Sequence, residues 1–397
     1  MFKIRMMKKL FLILFITSAT NVLAQPKVDV AKQMKLSLQQ YKSLVNELRD
    51  YKFFPQSINP DGSLGKRKSE WWCSGFFGGG LWYLAEYTKD QEITKAADAW
   101  TVALSKEQYN TRTHDLGFML YCSYGNGYRL TKKEEYKSVL LNGAESLSTR
   151  FNPNVGLIKS WDGFKSYKYP VIIDNMMNLE FLFWASKITG NKKYYNICVS
   201  HADKTLQNHF RSDNSSYHVV CYDSVGNVVA KKTAQGFADS SAWARGQTWG
   251  LYGYTVMYRE TKNKKYLDQA VKIADFYMHH PNLPKDKIPY WDFNSPLIPN
   301  DVRDASAAAV VASGLLELST YVNKTLAKTY FSFAEEVLQN LSGDTYFAAH
   351  GNQHFLLKHS TGHKPANSEI DTPIIYADYY YLEALIRYDK LIKGQRL

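Results

Sequence analysis

Four versions of one motif recur along the chain: Tyr87-Thr88-Lys89-Asp90, Leu130-Thr131-Lys132-Lys133, Ile188-Thr189-Gly190-Asn191 and Glu260-Thr261-Lys262-Asn263. A weaker fifth version surrounds Asn323-Lys324-Thr325. In the four clear versions a threonine and a short polar turn separate an apolar segment from a charged one. Self-similarity of this kind indicates a fold that repeats one supersecondary unit. We therefore predict that each motif ends one helix and begins the next.

The segments on the two sides of the motif differ in polarity. Residues 179–188, 249–258 and 307–321 precede it and are apolar or aromatic on most sides, which is typical of helices buried all round. Residues 193–209 and 265–279 follow it and combine charged residues with apolar ones at i, i+3 and i+4. That spacing predicts amphipathic helices on the outside of the fold.

The helical hairpins account for residues 25–397 as a single catalytic domain, although 397 residues could also hold two domains of average size. The expected fold is all-α, an α/α toroid (α/α barrel) of about six hairpins. Residues 217–222 and 225–230 alternate in polarity and predict short strands at its mouth. Because inner and outer helices alternate, the inner ones run parallel and their N-termini meet at that one mouth.

Composition narrows the classes of partner. The chain has 29 Tyr, 20 Phe and 9 Trp, and such rings suit the apolar faces and hydroxyls of sugars. The net charge of +12 is compatible with nucleic acid, an anionic membrane or an acidic small substrate. Most Lys and Arg residues are scattered singly among acids instead of forming a basic stripe, which argues against nucleic acid. An acidic sugar fits the composition best.

The N-terminus resembles a secretory signal peptide. Lys3, Arg5, Lys8 and Lys9 precede an apolar run at 10–16, and Val22-Leu23-Ala24 offers a cleavage site. We expect residues 1–24 to be removed and the protein to be exported, to the periplasm or beyond. The apolar run is too short for a membrane anchor. The alternative is a buried N-terminal helix.

The four cysteines indicate neither a metal site nor a disulfide framework. Cys73, Cys122, Cys198 and Cys221 lie far apart and show no CxxC spacing. One incidental bridge remains possible at this level. No metal and no cofactor are predicted.

Two aspartates are the best candidates for chemistry. Asp174 follows Val171-Ile172-Ile173, and Asp115 lies in His114-Asp115-Leu116-Gly117-Phe118; both precede predicted inner helices and would meet at the mouth. The alternative for each is a helix cap. A carboxyl pair is the usual machinery of glycoside hydrolysis, with one group protonated. Since a helix N-terminus favours the ionised form, an acidic role for Asp174 requires burial or a nearby negative charge such as Asp115.

Other conspicuous residues near the mouth have ordinary alternatives. Trp72, Trp243 and Trp249 would also suit the core of a buried helix, and His114 would suit it as a satisfied histidine. Gly78-Gly79-Gly80 lacks the lysine and the preceding strand of a phosphate-binding loop, so we interpret it as tight helix packing.

Several ordered motifs together resemble one family. Residues 72–82, His114-Asp115-Leu116-Gly117-Phe118, Asp174-Asn175-Met176-Met177-Asn178 and residues 243–249 resemble the unsaturated glucuronyl hydrolases of glycoside hydrolase family 88. The resemblance spans almost all of the mature chain and implies a six-hairpin α/α barrel. It implies that Asp174 is the acid/base and that Asp115 assists it. It also implies that the following residues surround the unsaturated sugar: Trp72, His114, His218, Gln235, Trp243, Arg245 and Trp249.

The family's chemistry then sets the expected substrate and reaction. The substrate is an acidic oligosaccharide, left by a polysaccharide lyase, with an unsaturated uronic acid at its non-reducing end. Asp174 protonates C4 of the C4=C5 double bond, water adds at C5, and the hemiketal opens. Arg245, or His114 when protonated, is the expected partner of the uronate carboxylate.

Substrate preference is expected to depend on the basic loop at residues 358–364. Its Ser360, His363 and Lys364 suit a sulfate or carboxylate on the second sugar, which favours sulfated glycosaminoglycan disaccharides; a solvated loop is the alternative. Three other functions compete with this one. They are an unsaturated rhamnogalacturonyl hydrolase acting on pectin fragments, a non-catalytic periplasmic sugar-binding protein, and an inverting glycosidase that accepts saturated substrates.

Overall fold

The computed structural model describes residues 27–397, so the predicted signal peptide at 1–24 lies outside the described residues. Within this range the chain forms α1 (Val30–Leu48), α2 (Ser74–Thr88), α3 (Gln91–Val102), α4 (Asn126–Thr131), α5 (Glu134–Ser148), α6 (Leu179–Thr189), α7 (Lys192–Asn208), α8 (Ala244–Thr261), α9 (Lys264–His279), α10 (Ala305–Leu318), α11 (Lys324–Leu341) and α12 (Ile375–Ile392). A π-helical segment, Gly117–Gly125, runs directly into α4. Short 3-10 turns occupy Ser105–Tyr109, Ile173–Asn178, Asn352–His354 and Lys364–Ala366.

The even-numbered helices form an inner ring. Neighbouring inner helices pack together, the π-helical segment that leads into α4 contacts both α2 and α6, and α12 packs against α2 to close the circle. Every residue of α10 is buried, as expected for a helix surrounded by others. The odd-numbered helices lie outside and expose one polar face, and α1 covers the junction of α12 and α2. The six-hairpin α/α toroid is therefore confirmed.

The recurring motif is a compact helix-to-helix joint. In the fourth copy, Thr261 donates its hydroxyl hydrogen to the carbonyl of Met257 and accepts from the backbone N–H of Asn263. Lys262 adopts a left-handed conformation that ends α8, and Asn263 caps α9. The same geometry recurs at Lys89, Lys132 and Gly190. The joint requires only local hydrogen bonds, which is why its sequence repeats.

Short strands lie at the mouth of the ring. They are β1 (Phe54–Ile58), β2 (Leu64–Arg67), β3 (Phe151–Asn152), β4 (Leu157–Ile158), β5 (Tyr169–Ile172), β6 (Val219–Tyr222) and β7 (Val228–Lys232). The predicted hairpin at 217–230 is β6–β7, and β5 extends it to a three-stranded antiparallel sheet. The third strand was not predicted because its partner lies about fifty residues away in sequence.

Glycines in α2 allow the inner helices to approach closely. A Cβ atom on Gly79 would lie 2.4 Å from the carbonyl oxygen of Cys122 and 2.5 Å from the ring of Tyr379. A Cβ atom on Gly78 would lie no closer than 3.4 Å to Thr101, which is ordinary contact. The glycine run is therefore a packing device, as its sequence indicated.

Residues 27–397 contain no helix long and apolar enough to cross a bilayer. All four cysteines lie in this range, and each is buried and unpaired. The incidental bridge that the sequence left open is not formed.

Gly79→Ala should destabilise the protein by about 1–3 kcal/mol, because a methyl group overlaps a carbonyl that cannot move independently. Gly78→Ala is the matched control in the same helix. It should leave stability unchanged or raise it by up to about 1 kcal/mol, since alanine favours helix more than glycine does. Urea unfolding of both variants measures the difference. Equal stabilities would show that α2 does not depend on this close approach.

Candidate active site

Asp174 lies where the sheet at the mouth meets the inner ring. It belongs to the 3-10 turn Ile173–Asn178, between β5 and α6. The N-cap residue of α6 is Asn178 and that of the 3-10 turn is Ile172, so the side chain of Asp174 caps neither helix. The alternative of a plain helix cap is therefore wrong for Asp174. Its Oδ2 atom is buried and has no hydrogen-bond partner within residues 27–397.

Burial gives Asp174 the properties of an acid. The residue is 8% exposed, and desolvation raises the pKa of its carboxyl group to about 7. The positive charge of Arg245 lowers this pKa, and the negative charge of Asp115 raises it. Of the two possibilities left by the sequence, removal from water is the larger cause and the neighbouring aspartate is secondary. A group with this pKa holds a proton for much of the time at neutral pH.

His218 faces the unpaired oxygen of Asp174. Its Nδ1 atom accepts two backbone hydrogen bonds, from the N–H groups of Ala234 and Gln235, at 3.1 Å each. Burial lowers its pKa well below the usual value, so the ring is neutral and carries one proton. Because Nδ1 is an acceptor, that proton lies on Nε2. Nε2 is 3.7 Å from Oδ2 of Asp174, which is too far for a hydrogen bond.

Asp115 forms the more exposed half of the carboxyl pair. Its Oδ2 accepts a hydrogen bond from the hydroxyl of Thr113 at 3.2 Å, and its Oδ1 lies 3.3 Å from Nε2 of His114. His114 is fully buried, and this lowers its pKa despite the adjacent carboxylate. A neutral, buried His114 does not suit the predicted role of a charged partner for a uronate carboxylate. It lies beside Asp115, whose side chain remains 14% exposed.

One close approach fixes the two aspartate segments to each other. The backbone N–H of Phe118 donates to Oδ1 of Asn178 at 3.2 Å. A Cβ atom on Gly117 would lie 2.5 Å from that same oxygen, so only glycine permits the contact. Asn175 anchors its own turn by donating to the carbonyl of Ile158 at 2.9 Å. Hydrogen bonds between backbone groups and asparagine side chains thus set the separation of Asp115 from Asp174.

Aromatic rings line the mouth in two layers. Trp72 is half-buried and packs on Tyr376 with ring centroids 5.0 Å apart, so one of its edges is available to a ligand. Trp243 and Trp249 are buried behind the aspartates, where Trp243 packs on His218 at 4.6 Å. Half-buried Trp161, which the sequence analysis missed, meets the other side of His218 edge-on at 6.0 Å. It lies in a loop without a recognisable local pattern.

The side chain of Arg245 is buried, with 1% of its surface exposed, and it contacts other residues of the protein. Its guanidinium pairs with Asp304 at 2.7 Å and donates to the carbonyls of Thr361 and Gly362 at 2.6 Å each. Gln235 donates its side-chain N–H to the same Gly362 carbonyl at 3.0 Å. The contacts of Arg245 use three of its five guanidinium N–H groups, and within residues 27–397 Nε donates no hydrogen bond, so direct binding of a uronate carboxylate by Arg245 stays a prediction. In this arrangement Arg245 holds the basic loop at the mouth.

The predicted sugar-binding residues of that loop are buried or already paired. Ser360 is fully buried, so no sugar can contact its hydroxyl. Lys364 forms an ion pair with Asp301 and lies over the ring of Trp291. His363 contacts the carbonyl of Ala234 through Nε2 at 3.0 Å. The prediction that Ser360 and Lys364 offer free groups to a sulfate is therefore not supported, since sequence could not reveal the partner Asp301.

The sequence and the fold are similar to those of known proteins. The pattern of glycosyl hydrolase family 88 matches residues 49–395. An unsaturated glucuronyl hydrolase of Formosa agariphila is 47% identical over 381 residues, 94% of each chain. The chain belongs to glycosyl hydrolase family 88. An unsaturated chondroitin disaccharide hydrolase of Streptococcus pneumoniae is 31% identical over 91% of this chain and 90% of its own length.

A solved structure supports the same assignment. The crystal structure of an unsaturated glucuronyl hydrolase specific for heparin matches this family 88 enzyme with a TM-score of 0.89 and 49% identity. The match covers 92% of this chain and 98% of that one. The family and fold expected from the motifs are thus confirmed, and the chain is a glycoside hydrolase. Within residues 27–397, no group of three or more His, Cys, Asp or Glu residues is arranged to hold a metal ion.

The tautomer of His218 can be tested directly. We expect ¹⁵N NMR of the histidine-labelled enzyme to show Nδ1 unprotonated and Nε2 protonated at neutral pH, because two backbone N–H groups hold Nδ1 as an acceptor. Gln235→Pro removes one of those N–H groups and should increase the Nδ1-protonated form. Gln235→Ala keeps the backbone donor and should leave the spectrum unchanged. A wild-type His218 protonated on Nδ1 would contradict the assignment.

Proposed function

We propose that this family 88 enzyme releases the unsaturated uronic acid from the non-reducing end of lyase-generated oligosaccharides by hydrating the C4=C5 bond. The observation that carries the proposal is the buried Asp174 carboxyl group, with a free oxygen and a pKa near neutrality, at a mouth that also holds Asp115. The double bond is an enol ether, which accepts a proton at carbon more readily than a glycosidic oxygen does. A carboxylic acid with this pKa is matched to that transfer.

The steps follow from the positions of the groups. Asp174 gives its proton to C4, and positive charge spreads over C5 and the ring oxygen. Water adds at C5 while the Asp174 carboxylate takes one of its protons, so the residue returns to its starting form. The resulting C5 hemiketal opens and frees the neighbouring sugar.

His218 and Asp115 assist in different ways. After the first proton transfer Asp174 is a buried anion, which is costly without a donor nearby. The Nε2–H group of His218, 3.7 Å from its oxygen, is near enough to move into a hydrogen bond that stabilises that anion. The exposed oxygens of Asp115 accept from ring hydroxyls and orient the sugar against the edge of Trp72.

For the substrate we propose glycosaminoglycan disaccharides, with sulfated ones preferred. The support comes from the relatives, which include one heparin-specific enzyme and one that acts on chondroitin disaccharides. The pectin alternative is not favoured by these relatives, and membership of a hydrolase family does not favour a non-catalytic binding protein. A preference for sulfate has to come from groups other than the buried Ser360 and the ion-paired Lys364.

We also propose that the chain is exported after loss of residues 1–24 and that 25–397 act as one catalytic unit. The support is the basic, apolar and small-residue order of the N-terminus. N-terminal sequencing of protein from the periplasmic fraction should begin at Gln25. A chain that keeps Met1 in the cytoplasm would contradict export.

Asp174→Asn should lower the reaction rate by at least about 10²-fold, because asparagine cannot donate the proton. The rate is measured as the decrease in the ultraviolet absorbance of the double bond. The assay uses heparin, chondroitin and pectin lyase products in parallel, and sulfated glycosaminoglycan disaccharides should react fastest with the wild type. Saturated disaccharides of the same composition are the control and should not react with either protein. Near-normal activity of the variant would remove Asp174 from the mechanism.

The pH dependence of kcat/KM should have an alkaline limb near pH 7. Asp174 acts in its protonated form, so activity falls as pH rises through the pKa of about 7. The Asp115 carboxylate raises this pKa, and Asp115→Asn should move the limb to lower pH in addition to slowing the reaction. A limb that stays in place, measured on the same substrate and buffer series, would show that another group sets the proton supply.

A further inference from the structure

A second cavity opens at the end of the ring opposite the aspartates. It has a volume of about 540 Å³ and is lined mainly by inner helices, with many of its residues in their C-terminal turns. This volume lies within the range of small-molecule sites. Three half-buried rings form one wall: Trp184 lies between Tyr121, at 6.2 Å, and Tyr128, at 5.7 Å.

The cavity is separate from the catalytic mouth. Phe118 lines it and packs on Trp249 with ring centroids 5.3 Å apart, and Trp249 is the buried floor beneath Asp174. Tyr380 also lines the cavity and packs on Trp249 at 5.4 Å. A layer of aromatic side chains therefore separates the catalytic mouth from this cavity. Asp174, Asp115 and His218 do not line the cavity.

The charged groups of this cavity neutralise one another. Arg259 pairs with Glu180 and Glu317, and Arg387 pairs with Glu317 at 3.2 Å and Glu383 at 3.6 Å. Nearer the rim, Glu86 pairs with two cations, Arg129 at 2.5 Å and Lys390 at 3.4 Å. The remaining lining cation, Lys132, is exposed to solvent. The charged side chains inside the cavity are therefore paired with side chains of opposite charge, and they can still form hydrogen bonds with a ligand.

Some polar groups on the aromatic wall are free. Among residues 27–397, no hydrogen bond uses the hydroxyl of Tyr121 or Tyr128 or the indole N–H of Trp184, although these side chains line the cavity. Ring faces together with uncommitted hydroxyl and N–H groups match the apolar faces and hydroxyls of a pyranose.

We propose that this cavity is a second saccharide site that binds a neutral pyranose. The aromatic wall can stack on the face of a sugar. The paired charged side chains can form hydrogen bonds without favouring an ionic ligand, and the volume accommodates one or two sugar rings. The inference does not depend on the hydration mechanism, because Asp174, Asp115, His218 and Trp72 do not line this cavity.

Methyl β-D-glucopyranoside is a suitable probe, since it is neutral and has no double bond to hydrate. Saturation-transfer NMR titration of the full chain should show binding with a Kd on the order of 1 mM, typical for a ligand of this size. Trp184→Ala should weaken binding at least tenfold, and Trp184→Phe, which keeps a ring, should weaken it less. Both variants should retain wild-type hydrolysis of unsaturated disaccharides, which also shows that they fold.

Two controls decide the location and the ligand class. Trp72→Ala alters the catalytic mouth and should leave binding of the probe unchanged; loss of binding in that variant would move the sugar to the mouth and overturn the proposal. Methyl β-D-glucuronide should bind no more tightly than the neutral probe, and a tenfold preference for it would overturn the neutral class. Absence of binding to the wild type at roughly one hundred times the expected Kd would also overturn the proposal.

Discussion

A carboxyl group that keeps its proton near neutral pH must be kept from water, and the mouth of this protein is organised around that constraint. The toroid meets it by placing Asp174 between a sheet, an inner helix and a layer of indole rings. The hydrogen bond from the Phe118 N–H group to the Asn178 side chain then holds Asp115 close enough to raise the pKa of Asp174. Asp115 itself remains partly exposed to solvent. Each aspartate therefore receives its own environment from the same architecture.

The groups next to Asp174 are arranged so that they do not cancel this effect. His218 and His114 are kept neutral by burial, so neither adds a positive charge that would hold the carboxyl group ionised. Arg245 does carry a charge and lowers the pKa of Asp174, but the effect of burial is larger, and Asp304 pairs with the guanidinium at 2.7 Å. The ion pair and the loop carbonyls of Thr361 and Gly362 thus act as a structural support behind the site. Removing Asp304 alone would leave an unpaired buried cation next to the acid.

Local features of the fold were predictable from sequence and distant ones were not. The hairpin joints were predicted because Thr261, Lys262 and Asn263, and their equivalents, complete every hydrogen bond within a few residues. Parallel inner helices then placed the two aspartates at one mouth. The roles of Arg245 and Lys364 could not be foreseen, since each depends on an acid from another element, Asp304 or Asp301. The tautomer of His218 depends on a turn sixteen and seventeen residues downstream.

The aromatic layer that separates the two compartments also links them. Trp249 is dry because Phe118 and Tyr380 cover it from the far side. Any substitution there that lets a single water molecule reach Trp249 would hydrate the surroundings of Asp174 and make it a stronger acid, without altering a residue that touches the sugar. The pH optimum of this enzyme therefore depends on how well the middle of the barrel excludes water. Substitutions deep in the core can shift this optimum without changing substrate recognition.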